Sequence, residues 1–360
     1  MSRTRLALAM GAGLTTLVAG AGLAARRGIH RYVATQRAVP DPAAADIDDV
    51  FDLEVLGVTH HRLPTHDGGE IHLIEKGPAD GRPLVLLHGI TMSSRVWGYQ
   101  LRDLSDTFRV IAVDLRGHGE SREGTDAFGL DRMAHDLATV LDALDLRNAI
   151  VVGHSMGGMA LMRFCADFPV MLDEQVEGVV FLATAPVLPL PIIAQRIVKR
   201  LAPIATWRGE SGGWDCLPQW NWRDDDRTYF LVRRSFGTVA PPSLVELTRL
   251  LVAEAPVTTV WQSGIGIVTH DADDALAATK TPALVIGGER DNITPAALSR
   301  RIAEILPNAE LHLLPDAGHQ LMLERPDELA ALVRAFAVEI AEKGSERVAE
   351  EQDATPVRSS

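Results

Sequence analysis

Val151–Ala160 reads VVGHSMGGMA, an apolar run that leads into a serine with glycine two residues to either side. The residues just before it, Ala149–Val152 (AIVV), have the length and β-branched content of a buried strand. Those after it, Met159–Ala166, carry a helical pattern. Gly153-His154-Ser155-Met156-Gly157 is therefore a G-x-S-x-G match between a strand and a helix, the context a nucleophile elbow requires. Glycines at 153 and 157 let the backbone turn sharply, and the helix N-terminus favours developing negative charge near Ser155. Glycine also marks ordinary turns, so the role of Ser155 rests on the rest of the chain.

The surrounding pattern supports a strand at that point. Glu70–Glu75 (EIHLIE) alternates polar and apolar residues, as a half-buried strand does. Leu84–Leu87, Val110–Val113, Val179–Leu182, Ala283–Ile286 and Leu311–Leu314 are short apolar runs suited to buried parallel strands. Between them, Met133, Leu137, Val140, Leu141 and Leu144 fall on one helical face. Leu329, Leu332, Val333, Phe336 and Ile340 do the same near the C-terminus. Strands alternating with helices predict an α/β fold with a doubly wound, mostly parallel sheet.

A serine hydroxyl needs a base to take its proton. Of the 12 histidines, His319 follows the strand Leu311–Leu314 and precedes the last helix, on a loop at the carboxyl end of the sheet. Asp291, in GGERDNITP, follows the strand Ala283–Ile286 in the same manner and can orient that base. Glu289 is the nearest competitor, better suited to the surface, and Asp316 lies too near His319 along the chain. The order Ser155, Asp291, His319 is that of a known hydrolase arrangement.

With these residues in place, the chain from about Phe51 to Ile340 resembles an α/β-hydrolase of the esterase/lipase type. The likeness also rests on His88-Gly89, on Asp114-Leu115-Arg116-Gly117-His118-Gly119-Glu120-Ser121, and on Gly318-His319 followed by Glu324-Arg325-Pro326. It implies an oxyanion hole from the backbone N–H groups of Met156 and Ile90. His88 is expected to brace its loop, Asp114 and Arg116 to hold a turn, and His154 to be a neighbour and not a base. One lipase group carries H-G-G-G where this chain has His88-Gly89-Ile90-Thr91, which leaves the substrate class open. Serine at position 155 excludes the aspartate nucleophile of dehalogenases and epoxide hydrolases of this fold.

Leu6–Ala25 is uncharged and 20 residues long, enough to cross a hydrocarbon core as a helix. Arg26, Arg27 and Arg31 follow it. An uncleaved single-pass anchor is expected, with the main body on the cytoplasmic side by the distribution of basic residues. A cleaved export signal is the alternative. Val39–Asp49 reads as part of a linker over 38–50, and the charged tail over 343–360 reads as disordered. The stretch 187–274 interrupts the strand–helix rhythm. It holds Trp207, Trp214, Trp220, Trp222 and Trp261, and a helical lid insertion lining an apolar pocket is expected there.

Net charge is −13, although residues 1–37 contain arginines and no acidic residue. An acidic main body argues against a nucleic-acid partner. Two cysteines, Cys165 and Cys216, exclude a disulfide framework and a multi-cysteine zinc site. The expected function is a serine hydrolase cleaving an apolar or lipid-like ester through an acyl-enzyme, with no cofactor or catalytic metal needed. C–C bond, thioester or amide hydrolysis, acyl transfer and perhydrolysis remain open on the same residues, as does a non-catalytic ligand receptor. Oligomeric state has no signal in the sequence.

Overall fold

In the computed structural model, residues 25–126, 128–188 and 225–354 are described. Among them, eight strands form one sheet: β1 (Thr59–Pro64), β2 (Glu70–Lys76), β3 (Arg82–Leu87), β4 (Phe108–Val113), β5 (Ala149–His154), β6 (Val176–Leu182), β7 (Ala283–Gly288) and β8 (Ala309–Leu314). The spatial order is β1-β2-β4-β3-β5-β6-β7-β8. β2 pairs antiparallel with β1 and β4, and the remaining neighbours are parallel.

The helices are α1 over 25–37, α2 (Ile47–Phe51), α3 (Leu53–Leu56), α4 (Gly98–Asp103), α5 (Leu130–Ala143), α6 (Met156–Asp167) and α7 (Pro169–Gln175). They continue with α8 (Asp226–Arg233), α9 (Pro242–Glu254), α10 (Val257–Thr269), α11 (Asp273–Ala278), α12 (Ala296–Ile305), α13 (Leu321–Glu324) and α14 (Pro326–Ala354).

Side chains alternate across a strand, so β3 sends Leu84 and Leu86 to one face and Val85 and Leu87 to the other. The first face packs against Leu329, Val333, Phe336 and Ile340 of α14. The second packs against Met133 and Leu137 of α5 and Leu161 and Phe164 of α6. Both faces are covered by helices, which is why the strands read as unbroken apolar runs.

Strand order reverses between β3, which leads to β4 on one side, and β5, which leads to β6 on the other. Leu87 is in register with Gly153, and His154 with Leu182. The loops after β3 and β5 therefore meet at the carboxyl ends of adjacent strands, at the topological switch point where open α/β sheets place ligands.

Two segments differ from the sequence expectation. Residues 38–50 are not a simple linker: a short 3-10 turn (Pro42–Ala45) and α2 pack Ala43, Val50 and Phe51 into the core. Their Pro/Ala/Asp composition hides an apolar stripe at helical spacing, Ala43, Ile47 and Val50. The tail from Lys343 continues α14 as far as Ala354, consistent with its many strong helix formers, and 355–360 lie outside the described residues. The edge strand β1 (THHRLP) is mostly solvent-facing, and so has no apolar run to announce it.

No helix among the described residues is long and apolar enough to cross a membrane. The expected anchor over 6–25 lies almost wholly outside them, as does 189–224 of the expected lid insertion with Trp207, Trp214, Trp220 and Trp222.

Candidate active site

Ser155 stands between β5 and α6 with φ 51° and ψ −116°. A non-glycine residue at such angles carries strain of about 1–3 kcal/mol and persists only where neighbours hold it. Here Ser155 N–H donates to Leu182 O at 3.0 Å, and Thr184 Oγ1 donates to Ser155 O at 2.6 Å. Gly157 is required by close approach, since a Cβ there would lie 2.5 Å from Leu87 O and 2.7 Å from His88 O. The turn can hug the β3 loop only without that atom.

His319 and Asp291 arrive from the loops after β8 and β7. His319 Nδ1–H donates to Asp291 Oδ2 at 2.8 Å, and both residues are buried. Asp291 also accepts from Ile293 N (2.7 Å), Thr294 N (2.9 Å) and Thr294 Oγ1 (2.7 Å). Burial pushes its carboxyl pKa up, but the neighbouring His319 and these donors outweigh it, so the group sits below the usual carboxylate range. His319 N–H donates to Ser235 O at 2.6 Å, just past α8. With Nδ1 committed to Asp291, Nε2 is the ring nitrogen of His319 that no hydrogen bond between described groups uses.

Ser155 and His319 line one cavity of about 160 Å³. Among the described residues, no hydrogen bond joins Ser155 Oγ to His319 Nε2. Such contacts are often long in ligand-free enzymes and tighten around substrate. Ile90 and Thr91 form the wall after β3, and Thr91 takes φ 62° to turn the chain. Met156 is the first residue of α6. No hydrogen bond between described groups uses the N–H of Ile90 or of Met156.

His88 is a brace. It is buried, its Nδ1–H donates to Gly89 O at 2.8 Å, and its Nε2 accepts from Leu115 N–H at 3.0 Å. That pattern requires a neutral ring, and burial lowers its pKa accordingly. Asp114 holds the turn after β4 through Ser94 N (2.6 Å) and Glu120 N (2.9 Å), while the Arg116 guanidinium is buried between Asp67 and Asp136. Glu289 is exposed and stands apart from the cavity, and Asp316 faces Thr238 and Arg290.

Residues 84–332 match the alpha/beta hydrolase family. The chain belongs to that family. It is 30% identical to a bifunctional esterase/perhydrolase of Acinetobacter calcoaceticus over 291 residues, spanning 76% of this chain and 98% of that one. Among solved structures, an esterase from Exiguobacterium antarcticum superposes with TM-score 0.65 at 21% identity, covering 78% of this chain and 99% of the other. A membrane phospholipase A superposes with TM-score 0.64 at 20% identity and covers 94% of this chain and 99% of the other. At these identities the two structures establish the fold alone.

Several residues of this hydrolase-family site went unmarked in the sequence. Thr294 touches both Asp291 and His319 Nδ1, at 3.2 Å from the latter. Its position three after an aspartate, in a local side-chain-to-backbone turn, is the signal that could have found it. Glu324, noted only as part of a motif, accepts from the N–H groups of Gly237, Gly318 and Gln320. Ser235 and Leu231–Val232, on or beside α8, wall the cavity with Thr248 and Val252 of α9. Ser235 meets His319 and Gln320 across more than 80 residues of chain, with no local signature. Trp261, on α10, is 44% exposed and does not line the cavity.

Proposed function

We propose that the protein is a serine hydrolase acting on carboxylic esters with an apolar acyl part. The observation that carries this reading is the His319 Nδ1–Asp291 Oδ2 bond of 2.8 Å, beside an elbow serine opening on the same cavity. His319 Nε2 takes the Ser155 hydroxyl proton as Oγ attacks the ester carbonyl. The N–H groups of Met156 and Ile90 receive the negative charge on the carbonyl oxygen, each worth about 10²–10³ in rate. His319 then returns the proton to the leaving alkoxide, which departs as alcohol. Water, deprotonated by His319, cleaves the acyl-enzyme to release the acid and restore Ser155.

The cavity walls supplied by Ile90, Met92, Leu231, Val232, Val252 and Ile293 favour an apolar acyl group. In this reading, α8, α9 and α10 belong to the described part of a helical lid insertion. Hydrogen peroxide in place of water would release a peracid from the same acyl-enzyme. The Acinetobacter relative named as an esterase/perhydrolase supports this second outcome. We also propose that residues 6–25 anchor the chain in a membrane. The apolar stretch and the arginines after it support this.

A fluorophosphonate probe followed by peptide mapping tests the reaction class. One adduct per chain, on Ser155, with loss of p-nitrophenyl ester turnover, is expected. No adduct, or full turnover by Ser155→Ala, refutes the proposal. Alkaline carbonate extraction tests the anchor: full-length protein stays in the membrane pellet, and release into the supernatant or N-terminal trimming past residue 25 refutes it.

A further inference from the structure

The antiparallel edge of the sheet carries a side-chain cluster that takes no part in the proposed hydrolysis. His60 pairs in register with Ile74, and Arg62 with His72, so His60 and His72 are diagonal neighbours on one face of β1 and β2. His60 Nδ1 lies 2.9 Å from His72 Nε2. His72 is buried, and its Nδ1–H donates to Asp114 Oδ2 at 2.7 Å. That bond fixes the tautomer and leaves the Nε2 lone pair of His72 aimed at His60.

The same carboxylate oxygen accepts the Glu120 N–H at 2.9 Å and so sets Glu120 beside the pair. One ligand atom from each of His60, His72 and Glu120 falls within 4.8 Å of the others. His72, Asp114 and Glu120 also line a cavity of about 190 Å³ that reaches Met92 on the active-site wall.

We propose that His60 Nδ1, His72 Nε2 and a Glu120 carboxylate oxygen form a binding site for a divalent transition ion of the zinc class, with an open fourth position toward this cavity. Two imidazoles and one carboxylate suit zinc, cobalt, nickel or copper, and not magnesium or calcium. Asp114 plays the part that an outer carboxylate plays behind a metal-bound histidine, orienting the ring and fixing its tautomer. Metal–nitrogen bonds of about 2.0–2.1 Å put tetrahedral ligand atoms about 3.4 Å apart, so the two rings need to separate by only about half an ångström. Glu120 now pairs with Arg62, which keeps Glu70 at 3.2 Å when Glu120 turns to the ion.

The competing account is a histidine pair sharing one hydrogen bond and binding no ion. Full-length protein stripped with chelator and titrated with zinc chloride by calorimetry separates the two, and cobalt chloride reports geometry through its visible absorption. One saturable ion per chain with a tetrahedral cobalt spectrum, uncompeted by magnesium, is expected. His60→Ala, at an exposed edge position, and Glu120→Gln should each weaken binding about tenfold or more. His66→Ala, an exposed histidine outside the cluster, should leave it unchanged. No saturable binding, or binding that survives both His60→Ala and Glu120→Gln, overturns the site.

Discussion

His154 Nε2–H donates to the backbone carbonyl of His319 at 2.9 Å, tying the residue before the elbow to the loop of the proposed base. Burial holds His154 well below the ordinary histidine pKa, so it remains a neutral strut. Its removal should misplace His319 without removing the base. His154→Ala is expected to lower kcat/KM on p-nitrophenyl acetate about tenfold, and His154→Gln, which retains a donor, by less. His319→Ala should cost on the order of 10³ or more. Equal losses in His154→Gln and His319→Ala would move the role of base away from His319.

Glu324 clamps the other side of that loop. Its carboxylate accepts from Gly237 N at 2.7 Å, from Gly318 N at 3.0 Å and from Gln320 N at 3.0 Å. Residues 237 and 318 approach so closely that a Cβ on either glycine would strike backbone of the other segment. Glu324→Ala strands buried N–H donors at a cost of about 1–3 kcal/mol, measurable by urea unfolding. It should lower kcat in parallel, while Glu324→Gln, which keeps one strong acceptor oxygen, should recover part of both. A kcat unchanged in Glu324→Ala would show that the clamp does not position His319.

Stability should fall in mild acid. Burial pushes His118 down to about 3 and His270 down to about 4, against about 6.5 in an unfolded chain. Above pH 6.5 both are neutral in either state and contribute no slope. Below it the unfolded chain binds protons that the folded chain does not, so each group removes about 1.4 kcal/mol per pH unit down to its folded value. Asp67 adds to this at lower pH. Its bond to the Arg116 guanidinium keeps it well below the usual range, so its contribution is present above about pH 3.9 and is lost as pH falls further. Urea midpoints should be level from pH 8 to 7 and decline from pH 6.5 to 5. A level curve to pH 5 would contradict the buried neutral histidines.

Much of this architecture was legible because its signals are local. The runs at 84–87, 149–152 and 283–286 are apolar on both faces, so they announced β3, β5 and β7. Ser155, Asp291 and His319 each follow such a run, and their convergence needed only the rule that sites form at the strands' carboxyl ends. What was missed is either solvent-facing or long-range. β1 exposes most of its side chains, and the Pro/Ala/Asp background masked the stripe at Ala43, Ile47 and Val50. The meeting of Ser235 with His319, or of Glu120 with His60, depends on tertiary placement that no periodicity encodes.

The N-terminal helix should govern substrate binding from behind the cavity wall. In α1, Val33 is buried in the core, with Ile29 packed against it. Tyr32 meets Phe230 edge to face at 5.3 Å, and the Arg37 guanidinium lies 4.7 Å from the Tyr229 ring centre. Gln36 Oε1 accepts from Arg233 Nε at 2.8 Å. All these partners are on α8, whose Leu231 and Val232 face the cavity and whose following Ser235 carbonyl holds His319 N–H. Helix α8 is thus sandwiched between α1 and the candidate site. Val33→Ala, which removes two methyl groups' worth of buried surface, should cost about 2 kcal/mol in urea unfolding. Val33→Asp, which buries a charge without a partner, should cost more. Both should raise KM for apolar esters more than they lower kcat, because the wall loosens while Ser155 and Asp291 are held by other elements. A Val33→Asp variant with unchanged KM and unchanged unfolding midpoint would show that α1 does not support the wall.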